Sequence, residues 1–300
     1  LAATSNLLVV GAFIFRKTEV DSRFLLGKGQ LSELVVHCLQ AGADLLIFDG
    51  ELSPAQVKAL ADYTEIKIID RTQLILDIFA RRAITKEGKI QVELAQLQYL
   101  LPRLITKNTA MSRLTGGIGG RGPGETKLEI NRRRVRERIT LLSRELKDIR
   151  RQRKERRKKR INRCLPIISI VGYTNAGKST LLNALTKSHI RVDNWLFVTL
   201  DTTSRQLRLG RGEIIISDTV GFIKDLPEDL FQTFAATLEE LQEADLLIHV
   251  ADISNERLED QIESVNKVLE SLDLNTTHTI LALNKIDRLD SNQIAHLARD

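Results

Sequence analysis

Apolar and polar residues alternate in short runs over the first 82 residues, and these runs predict a small α/β domain. Three apolar runs, "LLVVGAFI", "DLLIF" and "IKIID", have the length and composition of strands. Residues 29–41, 53–63 and 71–82 place apolar side chains at helical spacing. Because strands separated by helices pair in parallel, we expect a small parallel α/β layer over residues 1–82.

Beyond residue 82 the apolar spacing changes to steps of four and three residues on two separate segments. The first segment carries Ile90, Leu94, Leu97, Leu101 and Leu104, and the second carries Val135, Ile139, Leu142, Leu146 and Ile149. Two matching stripes joined by a loop predict an antiparallel helical hairpin over residues 83–163. Pro102 lies inside the first stripe, so we expect it to kink or end that helix.

A glycine-rich loop, residues 108–125, joins the two stripes. Its segment "GGIGGRGPGE" is incompatible with a regular helix or strand, because glycine loses the most backbone freedom on ordering. Two interpretations are open. The loop either connects the helices, or it enters a narrow RNA-lined space with Gly119, Gly120, Arg121 and Gly122 at its tip.

Basic residues are concentrated in the second helical segment. Residues 132–163 contain 17 Lys and Arg and 4 acidic residues, a net charge of +13, whereas the whole chain carries +6. A solvated linker would explain the segment, but a contact with a polyanion explains its charge better. RNA is favoured over a membrane because the apolar face is needed for the hairpin. The candidate phosphate contacts are Arg156, Arg157, Lys158, Lys159 and Arg160.

A second domain is predicted over residues 164–300. The stretch "PIISIVGYTNAGKSTLLNAL" reads as a buried strand, a G-x-x-x-x-G-K-S loop and a helix. Backbone N–H groups of such a loop bind phosphates, helped by the dipole of the following helix. Lys178 is expected to reach the β- and γ-phosphates, and Ser179 to ligate Mg²⁺.

Two later motifs identify the nucleotide as guanine. "EIIISDTVG" ends a strand with D-x-x-G, which assigns Asp218 to Mg²⁺ and the Gly221 N–H to the γ-phosphate. "ILALNKID" ends another strand with N-K-x-D. The Asp287 carboxylate can accept hydrogen bonds from guanine N1–H and its 2-amino group, which adenine does not offer. Three motifs in this order, each after a strand, predict a GTP-binding domain.

The first switch lies in "NWLFVTLDTTSRQL", where Thr199, Thr202 and Thr203 are all candidate sensors of Mg²⁺ and γ-phosphate. The residue after D-x-x-G is Phe222, where many switch GTPases carry a glutamine that orients water. A phenyl ring cannot do this, so we expect slow intrinsic hydrolysis that a partner stimulates. Asn175 either helps to coordinate K⁺ or orients the loop backbone.

The R-G-P-G-E loop, the basic hairpin, "GYTNAGKST", "TLD-x-T" and "DTVGFI" together resemble the HflX family of ribosome-associated GTPases. The usual first switch of that family, F-A-T-L-D-P-T, aligns with residues 197–203. The alignment makes Thr199 the metal and γ-phosphate threonine. Val198 and Thr202 depart from the pattern.

The resemblance implies a GTPase whose glycine-rich loop reaches the peptidyl transferase region of the large ribosomal subunit and which dissociates stalled or idle ribosomes. The alternative is a GTP-gated module that binds rRNA for large-subunit assembly or storage. Lys178, Thr199 and Gly221 are the expected catalytic groups, and Ser179, Thr199 and Asp218 the expected Mg²⁺ ligands. The expected nucleotide pocket comprises Gly172, Tyr173, Thr174, Asn175, Ala176, Gly177, Lys178, Ser179, Thr180, Phe197, Val198, Thr199, Leu200, Asp201, Asp218, Thr219, Val220, Gly221, Phe222, Asn284, Lys285, Ile286 and Asp287.

The composition of the chain indicates the cellular compartment in which we expect the protein. The chain has two cysteines and no apolar run of about 18 residues, so neither a disulfide framework nor a membrane span is expected. We expect a cytoplasmic monomer that binds GTP or GDP with Mg²⁺ and contacts the intact ribosome. The GTPase domain is expected to lack its last motif, because the S-A-type loop does not appear before Asp300.

Overall fold

The structure is a computed structural model, and it describes residues 1–15, 23–104, 127–161, 165–186, 203–210, 212–219, 221–222, 230 and 239–289. The chain separates into two compact units. One comprises Leu1–Ala80 and Ile90–Glu145, and the other Arg81–Lys89 and Leu146–Asp300. The predicted three-part division at residues 82 and 163 stays a prediction.

The first unit contains the predicted parallel α/β layer. Strands β1 and β2 pair in parallel, with Leu45 opposite Lys67. The Ser53 side chain accepts a hydrogen bond from the Gln56 N–H and Gln56 bonds back to Ser53, which fixes the start of α2. The elements are α1 (Lys28–Gln40), β1 (Leu45–Phe48), α2 (Pro54–Thr64), β2 (Lys67–Asp70) and α3 (Arg71–Arg82). The three helices are confirmed to within a residue or two of their predicted bounds.

The strand predicted at "LLVVGAFI" is wrong. Residues 7–14 follow a short 3₁₀ helix, Ala3–Ser5, and have no strand pairing. The side chains of Leu8 and Ile14 are 88% and 97% exposed. An apolar run becomes a strand only when a neighbouring edge supplies hydrogen bonds. Among the described residues, β1 and β2 pair only with each other.

The two apolar stripes lie on the helices α4 (Lys86–Arg103) and α5 (Lys127–Ile161). In the first stripe Ile90 and Leu94 are buried, and in the second Leu142 and Leu146. The Arg138 guanidinium donates to both carboxylate oxygens of Glu93, at 2.7 and 2.9 Å, so α4 and α5 lie side by side. Helix α4 ends one residue after Pro102, as predicted.

A buried carboxylate joins the C-terminal end of α4 to β2. Asp70, the last residue of β2, is fully buried. It accepts a hydrogen bond from the Tyr99 hydroxyl at 2.7 Å and one from the Arg103 guanidinium at 3.2 Å. The Arg103 guanidinium also donates to the Leu52 carbonyl at 2.8 Å and stacks on the Tyr99 ring. Burial and the Asp70 hydrogen bond raise the pKa of Tyr99 well above its ordinary value, so the phenol stays protonated as a donor.

The second unit is built on a five-stranded sheet in the order β4-β5-β3-β6-β7. All neighbouring pairs are parallel except β4 with β5, which is antiparallel. Its elements are β3 (Ile167–Gly172), α6 (Lys178–Thr186), β4 (Thr203–Leu209), β5 (Gly212–Asp218), β6 (Leu246–Asp252), α7 (Leu258–Ser271) and β7 (Thr279–Asn284). The mixed α/β fold of a GTPase domain is confirmed, with each predicted motif following a strand.

The sheet carries a separate apolar cluster on each face. Consecutive side chains of a strand point to opposite faces, so Ile170 and Val171 belong to different clusters. Ile170 packs with Leu182 of α6, and Val171 packs with Val265 of α7. Strand β3 is therefore packed on both faces at the centre of the sheet, where the phosphate-binding loop begins. Among the helices that the structure describes, none has the length and apolar character needed to cross a bilayer.

Candidate functional site: a nucleotide pocket at the carboxyl ends of the strands

The G-x-x-x-x-G-K-S loop joins β3 to α6, as predicted, and two of its glycines are required by close contacts. Gly172 has φ +148°, and a Cβ there would lie 2.2 Å from the Val250 carbonyl oxygen. Gly177 has φ +99°, and a Cβ there would lie 2.1 Å from the amide nitrogen of Asn284. A side chain at either position would force the loop away from its neighbours. The loop therefore packs directly against the N-K-x-D motif.

Lys178 is buried at the start of α6. Its ammonium group donates to the carbonyl oxygens of Gly172 at 3.0 Å and Tyr173 at 2.8 Å. Burial lowers the pKa of Lys178 to about 8, although the nearby Asp218 carboxylate acts in the opposite direction. Within the described residues, the ammonium group thus donates to loop carbonyls, and it is suited to exchange a carbonyl for a phosphate oxygen.

The two predicted Mg²⁺ ligands of the described chain lie in contact. The Ser179 hydroxyl donates to Asp218 Oδ2 at 2.5 Å. The second oxygen of the carboxylate, Oδ1, is buried and has no hydrogen-bond partner in the described structure. Burial raises the pKa of Asp218, whereas Lys178 and the hydrogen bond from Ser179 lower it. A hydroxyl beside a carboxylate with an unused buried oxygen fits Mg²⁺, which prefers oxygen ligands.

The base-recognition motif is positioned by contacts with the phosphate loop. The Asn284 side chain donates to the Ala176 carbonyl at 2.8 Å, and Lys285 Nζ donates to the Asn175 carbonyl at 2.7 Å. Asp287 lies in the 3₁₀ helix Ile286–Arg288 and is exposed. Its carboxylate is therefore accessible, and its assignment to guanine stays a prediction.

Asp252 is a supporting residue that the sequence analysis did not identify. It ends β6, and its Oδ2 accepts a hydrogen bond from Lys285 Nζ at 2.7 Å. Burial alone would raise the pKa of Asp252, but hydrogen bonds from Lys285 and Ser254 lower it, so the carboxylate stays charged. Its position was the available signal, because polar residues at the carboxyl ends of parallel strands gather at ligand sites.

The segment after D-x-x-G is joined to the phosphate loop by main-chain hydrogen bonds. The Thr174 N–H donates to the Phe222 carbonyl at 2.8 Å, and the Phe222 N–H donates to the Gly172 carbonyl at 3.1 Å. The Phe222 side chain is buried in the cluster that contains Val171 and Leu247. Thr219 Oγ1 donates to the Ile170 carbonyl at 2.7 Å, which fixes the residue between Asp218 and this segment.

The structure therefore brings most of the predicted pocket together, and the remaining predicted residues lie outside what it describes. The described members are Gly172, Tyr173, Thr174, Asn175, Ala176, Gly177, Lys178, Ser179, Thr180, Asp218, Thr219, Gly221, Phe222, Asn284, Lys285, Ile286 and Asp287. The first-switch residues Phe197, Val198, Thr199, Leu200 and Asp201, together with Val220, lie outside the described residues. The assignment of Thr199 stays a prediction.

The predicted RNA contacts also fall largely outside the described residues. The loop residues Gly119, Gly120, Arg121 and Gly122 belong to this group. Arg156, Arg157, Lys158, Lys159 and Arg160 lie within α5, but the description there covers the backbone only. In the earlier part of α5, Arg134, Arg136 and Arg144 are exposed, whereas Leu142 and Leu146 are buried. Helix α5 thus exposes basic side chains around its circumference, while Leu142 and Leu146 are buried.

Comparison with known families matches three regions of the chain. Residues 1–80 match a family described as "GTP-binding GTPase N-terminal", residues 82–160 match "GTP-binding GTPase Middle Region", and residues 167–285 match "50S ribosome-binding GTPase". The third region contains the G-x-x-x-x-G-K-S and D-x-x-G motifs and the first two residues of N-K-x-D, Asn284 and Lys285.

Individual relatives agree with these matches. The chain is 49% identical over 291 residues to a protein named "GTPase HflX" from Caldanaerobacter subterraneus subsp. tengcongensis, covering 97% of this chain and 68% of the relative. It is 47% identical over 269 residues to "GTPase HflX" from Escherichia coli K12, covering 89% of this chain and 63% of the relative. A crystal structure of SsGBP in complex with GDP is similar with a TM-score of 0.54 and 26% identity, covering 99% of this chain and 81% of that chain.

Proposed function

The chain belongs to the HflX family of GTPases, and we propose that it couples GTP binding and hydrolysis to association with the large ribosomal subunit. Binding and hydrolysis of GTP are the activities of this family. The ribosome proposal rests on the surface of α5. This helix buries Leu142 and Leu146, whereas it exposes basic side chains, namely Arg134, Arg136 and Arg144. A rigid helix with a basic surface is suited to an RNA backbone, whose phosphates it contacts without reading sequence.

In the proposed nucleotide complex, the N–H groups of the phosphate loop and the Lys178 ammonium bind the β- and γ-phosphates. Asp287 accepts from the guanine edge, while Asn284 and Lys285 are held against the loop by their contacts with Ala176 and Asn175. Ser179 and Asp218 would hold Mg²⁺, with Thr199 proposed as a further ligand, and the ion would neutralise charge on the phosphates. Asn175 is proposed to contact K⁺.

The glycine-rich loop is proposed to act at the ribosome. A loop of glycines around Arg121 has little steric bulk and one cation, so it fits a narrow space between RNA strands. We propose that this space is the peptidyl transferase region. The basic part of α5, including Arg156–Arg160, adds affinity for the rRNA backbone. Hydrolysis would then be stimulated by the subunit, because Phe222 cannot orient water by itself.

Sedimentation of intact ribosomes tests this proposal. Purified ribosomes are mixed with the protein and GTP, a non-hydrolysable GTP analogue or GDP, and the mixtures are separated on sucrose gradients. With GTP or its analogue, we expect free subunits to appear and the protein to migrate with the large subunit. With GDP, we expect neither free subunits nor this comigration. Protein that binds only free large subunits would favour the alternative function in assembly or storage. Protein that stays at the top of every gradient would contradict both.

A further inference from the structure

Thr174 is a phosphate-loop residue with a fixed main chain and a buried side chain. Its N–H donates to the Phe222 carbonyl at 2.8 Å, and it is 6% exposed. The adjacent Tyr173 forms a parallel β-bridge with Phe222, so the loop and the segment after D-x-x-G are held together at this point. The Thr174 side chain is therefore confined by the same contacts that position Gly221.

Two groups assigned to the terminal phosphate lie beside this side chain. A Cβ placed on Gly221 would lie 2.8 Å from Thr174 Cγ2 and 2.9 Å from Lys178 Nζ. The Gly221 N–H and the Lys178 ammonium are the expected γ-phosphate contacts. Thr174 thus adjoins the position at which the terminal phosphate and its attacking water must meet.

The hydroxyl of Thr174 is buried and has no hydrogen-bond partner within the described structure. Buried polar atoms nearly always have partners, so an unpaired one requires an explanation. The other unpaired oxygen of this pocket, Asp218 Oδ1, is explained by the proposed Mg²⁺. The Thr174 hydroxyl is not among the predicted Mg²⁺ ligands, and a ligand at the terminal phosphate explains why it is unpaired.

Phe222 leaves the orientation of the attacking water to another group. A glutamine at this position in other GTPases orients the attacking water, whereas here the side chain is a phenyl ring buried with Val171 and Leu247. A hydroxyl accepts one hydrogen bond and donates another. It therefore offers the same two functions as a glutamine amide in a smaller group.

We propose that Thr174 is a catalytic residue, whose hydroxyl accepts a hydrogen bond from the attacking water and donates one to a γ-phosphate oxygen. The water oxygen bonds to the γ-phosphorus while the bond from that phosphorus to the β–γ bridging oxygen breaks. Both water protons end on the inorganic phosphate, and the Thr174 hydroxyl is unchanged. The proposal rests on the GTP hydrolysis of the family and is independent of ribosome binding.

Two substitutions separate the hydroxyl from the packing of the methyl group. Thr174→Val keeps the branched shape beside Gly221 and removes the hydroxyl, whereas Thr174→Ser keeps the hydroxyl and removes the methyl. Neither changes the main-chain hydrogen bond to Phe222. Three quantities are measured on the protein without ribosomes: single-turnover GTP hydrolysis with protein in excess, the affinity for GDP, and the affinity for GDP with aluminium fluoride, which mimics the transferring phosphoryl group.

We expect Thr174→Val to reduce hydrolysis and fluoride-complex affinity by about 10- to 100-fold, the effect of losing one hydrogen bond to a charged group. GDP affinity should change by less than about threefold, because GDP lacks the γ-phosphate, and Thr174→Ser should restore both losses. The affinity for GDP with aluminium fluoride tests the role of the hydroxyl even where hydrolysis is too slow to compare. Parent-like hydrolysis and fluoride binding in Thr174→Val would overturn the proposal. Equal losses of hydrolysis in Thr174→Val and Thr174→Ser would also overturn it. An equally large loss of GDP affinity in Thr174→Val would do the same, because either result would indicate a packing role.

Discussion

At the scale of single residues, the ammonium group of Lys178 is buried beneath the carbonyls of Gly172 and Tyr173. Its pKa of about 8 lies well below the ordinary value for lysine, so it loses its charge as the pH rises through 8. A bound phosphate favours the charged form and raises that pKa. Nucleotide affinity should therefore be highest below pH 8 and should decline above it, because the free protein then loses the Lys178 charge.

The corresponding prediction is proton uptake on GDP binding. At pH 8.5, above that pKa, most Lys178 side chains are neutral before binding, so a large fraction of one proton should be taken up per GDP. Calorimetry in two buffers with different ionisation enthalpies measures the number of protons taken up per GDP bound. Lys178→Arg, whose guanidinium stays charged, is the control and should show no uptake from this residue. Equal uptake by the two proteins would mean that another group titrates.

Asp287 is the residue on which the guanine assignment depends. Asp287→Asn should weaken GTP binding by about 10- to 100-fold, because an amide cannot accept from both N1–H and the 2-amino group. Xanthosine triphosphate should bind better to the variant, since the new amide can donate to its C2 carbonyl. Competition between the two nucleotides measures the change. Asp273→Asn, an exposed loop substitution, is the control, and an unchanged GTP preference in Asp287→Asn would refute the assignment.

The residues of this pocket show what a sequence can predict and what it cannot. The G-x-x-x-x-G-K-S, D-x-x-G and N-K-x-D motifs carry their chemistry in fixed local spacings, so their main residues were predictable. Asp252 and the Thr174 hydroxyl depend on contacts made across the fold. Lys285 Nζ donates to Asp252, 33 positions earlier, and the Thr174 N–H donates to the Phe222 carbonyl. These pairings are set by tertiary structure, and the local pattern signalled only the position of Asp252 at the end of a strand, not its partner.

At the scale of elements, helices were predicted better than the first strand. The spacing of apolar residues is sufficient to define α1, α2 and α3, since a helix satisfies its own hydrogen bonds. Residues 7–14 have a strand-like composition, but a strand also requires a partner edge. The matched stripes of α4 and α5 predicted a hairpin, and the Glu93–Arg138 ion pair confirms that these helices are neighbours.

The contact between α4 and β2 gives a stability prediction. Tyr99→Phe removes the hydrogen bond to the fully buried Asp70, so it should lower the free energy of unfolding by about 1.5 to 3 kcal/mol. Urea denaturation measures the change. The matched control is Tyr63→Phe, because the Tyr63 hydroxyl pairs with Ser32 at an exposed site and should contribute less than about 1 kcal/mol. Equal effects of the two substitutions would show that the Asp70 network contributes no special stability.

The basic part of α5 gives an electrostatic prediction. Binding to rRNA or ribosomes should weaken with salt, and each phosphate contact should contribute about 0.7 to 0.9 to the log–log slope. Neutralising Arg156–Arg160 should flatten the slope by up to five such increments. Lys267→Gln, an exposed lysine of α7, is the control and should leave the slope unchanged. If binding by the unmodified protein did not change with salt, this part of α5 would be a solvent-exposed helix that does not contact RNA phosphates.

At the scale of the whole molecule, the nucleotide pocket and the glycine-rich loop belong to separate parts of the sequence. The described pocket is built from Gly172 to Asp287, whereas the loop joins α4 to α5. Deletion of residues 117–124 should therefore leave GTP binding and basal hydrolysis intact. The basic helix remains, so weak and salt-sensitive association with ribosomes should also persist.

The most direct test of the central claim is the rate of GTP hydrolysis as purified large ribosomal subunits are added. The intact chain should hydrolyse GTP faster with increasing subunit concentration until the rate saturates. The protein lacking residues 117–124 should keep its basal rate but show no stimulation, and Arg121→Ala should show partial stimulation. Full stimulation of the loop-deleted protein, or a rate in the intact protein that does not respond to subunits, would contradict the proposed coupling of GTP hydrolysis to the ribosome.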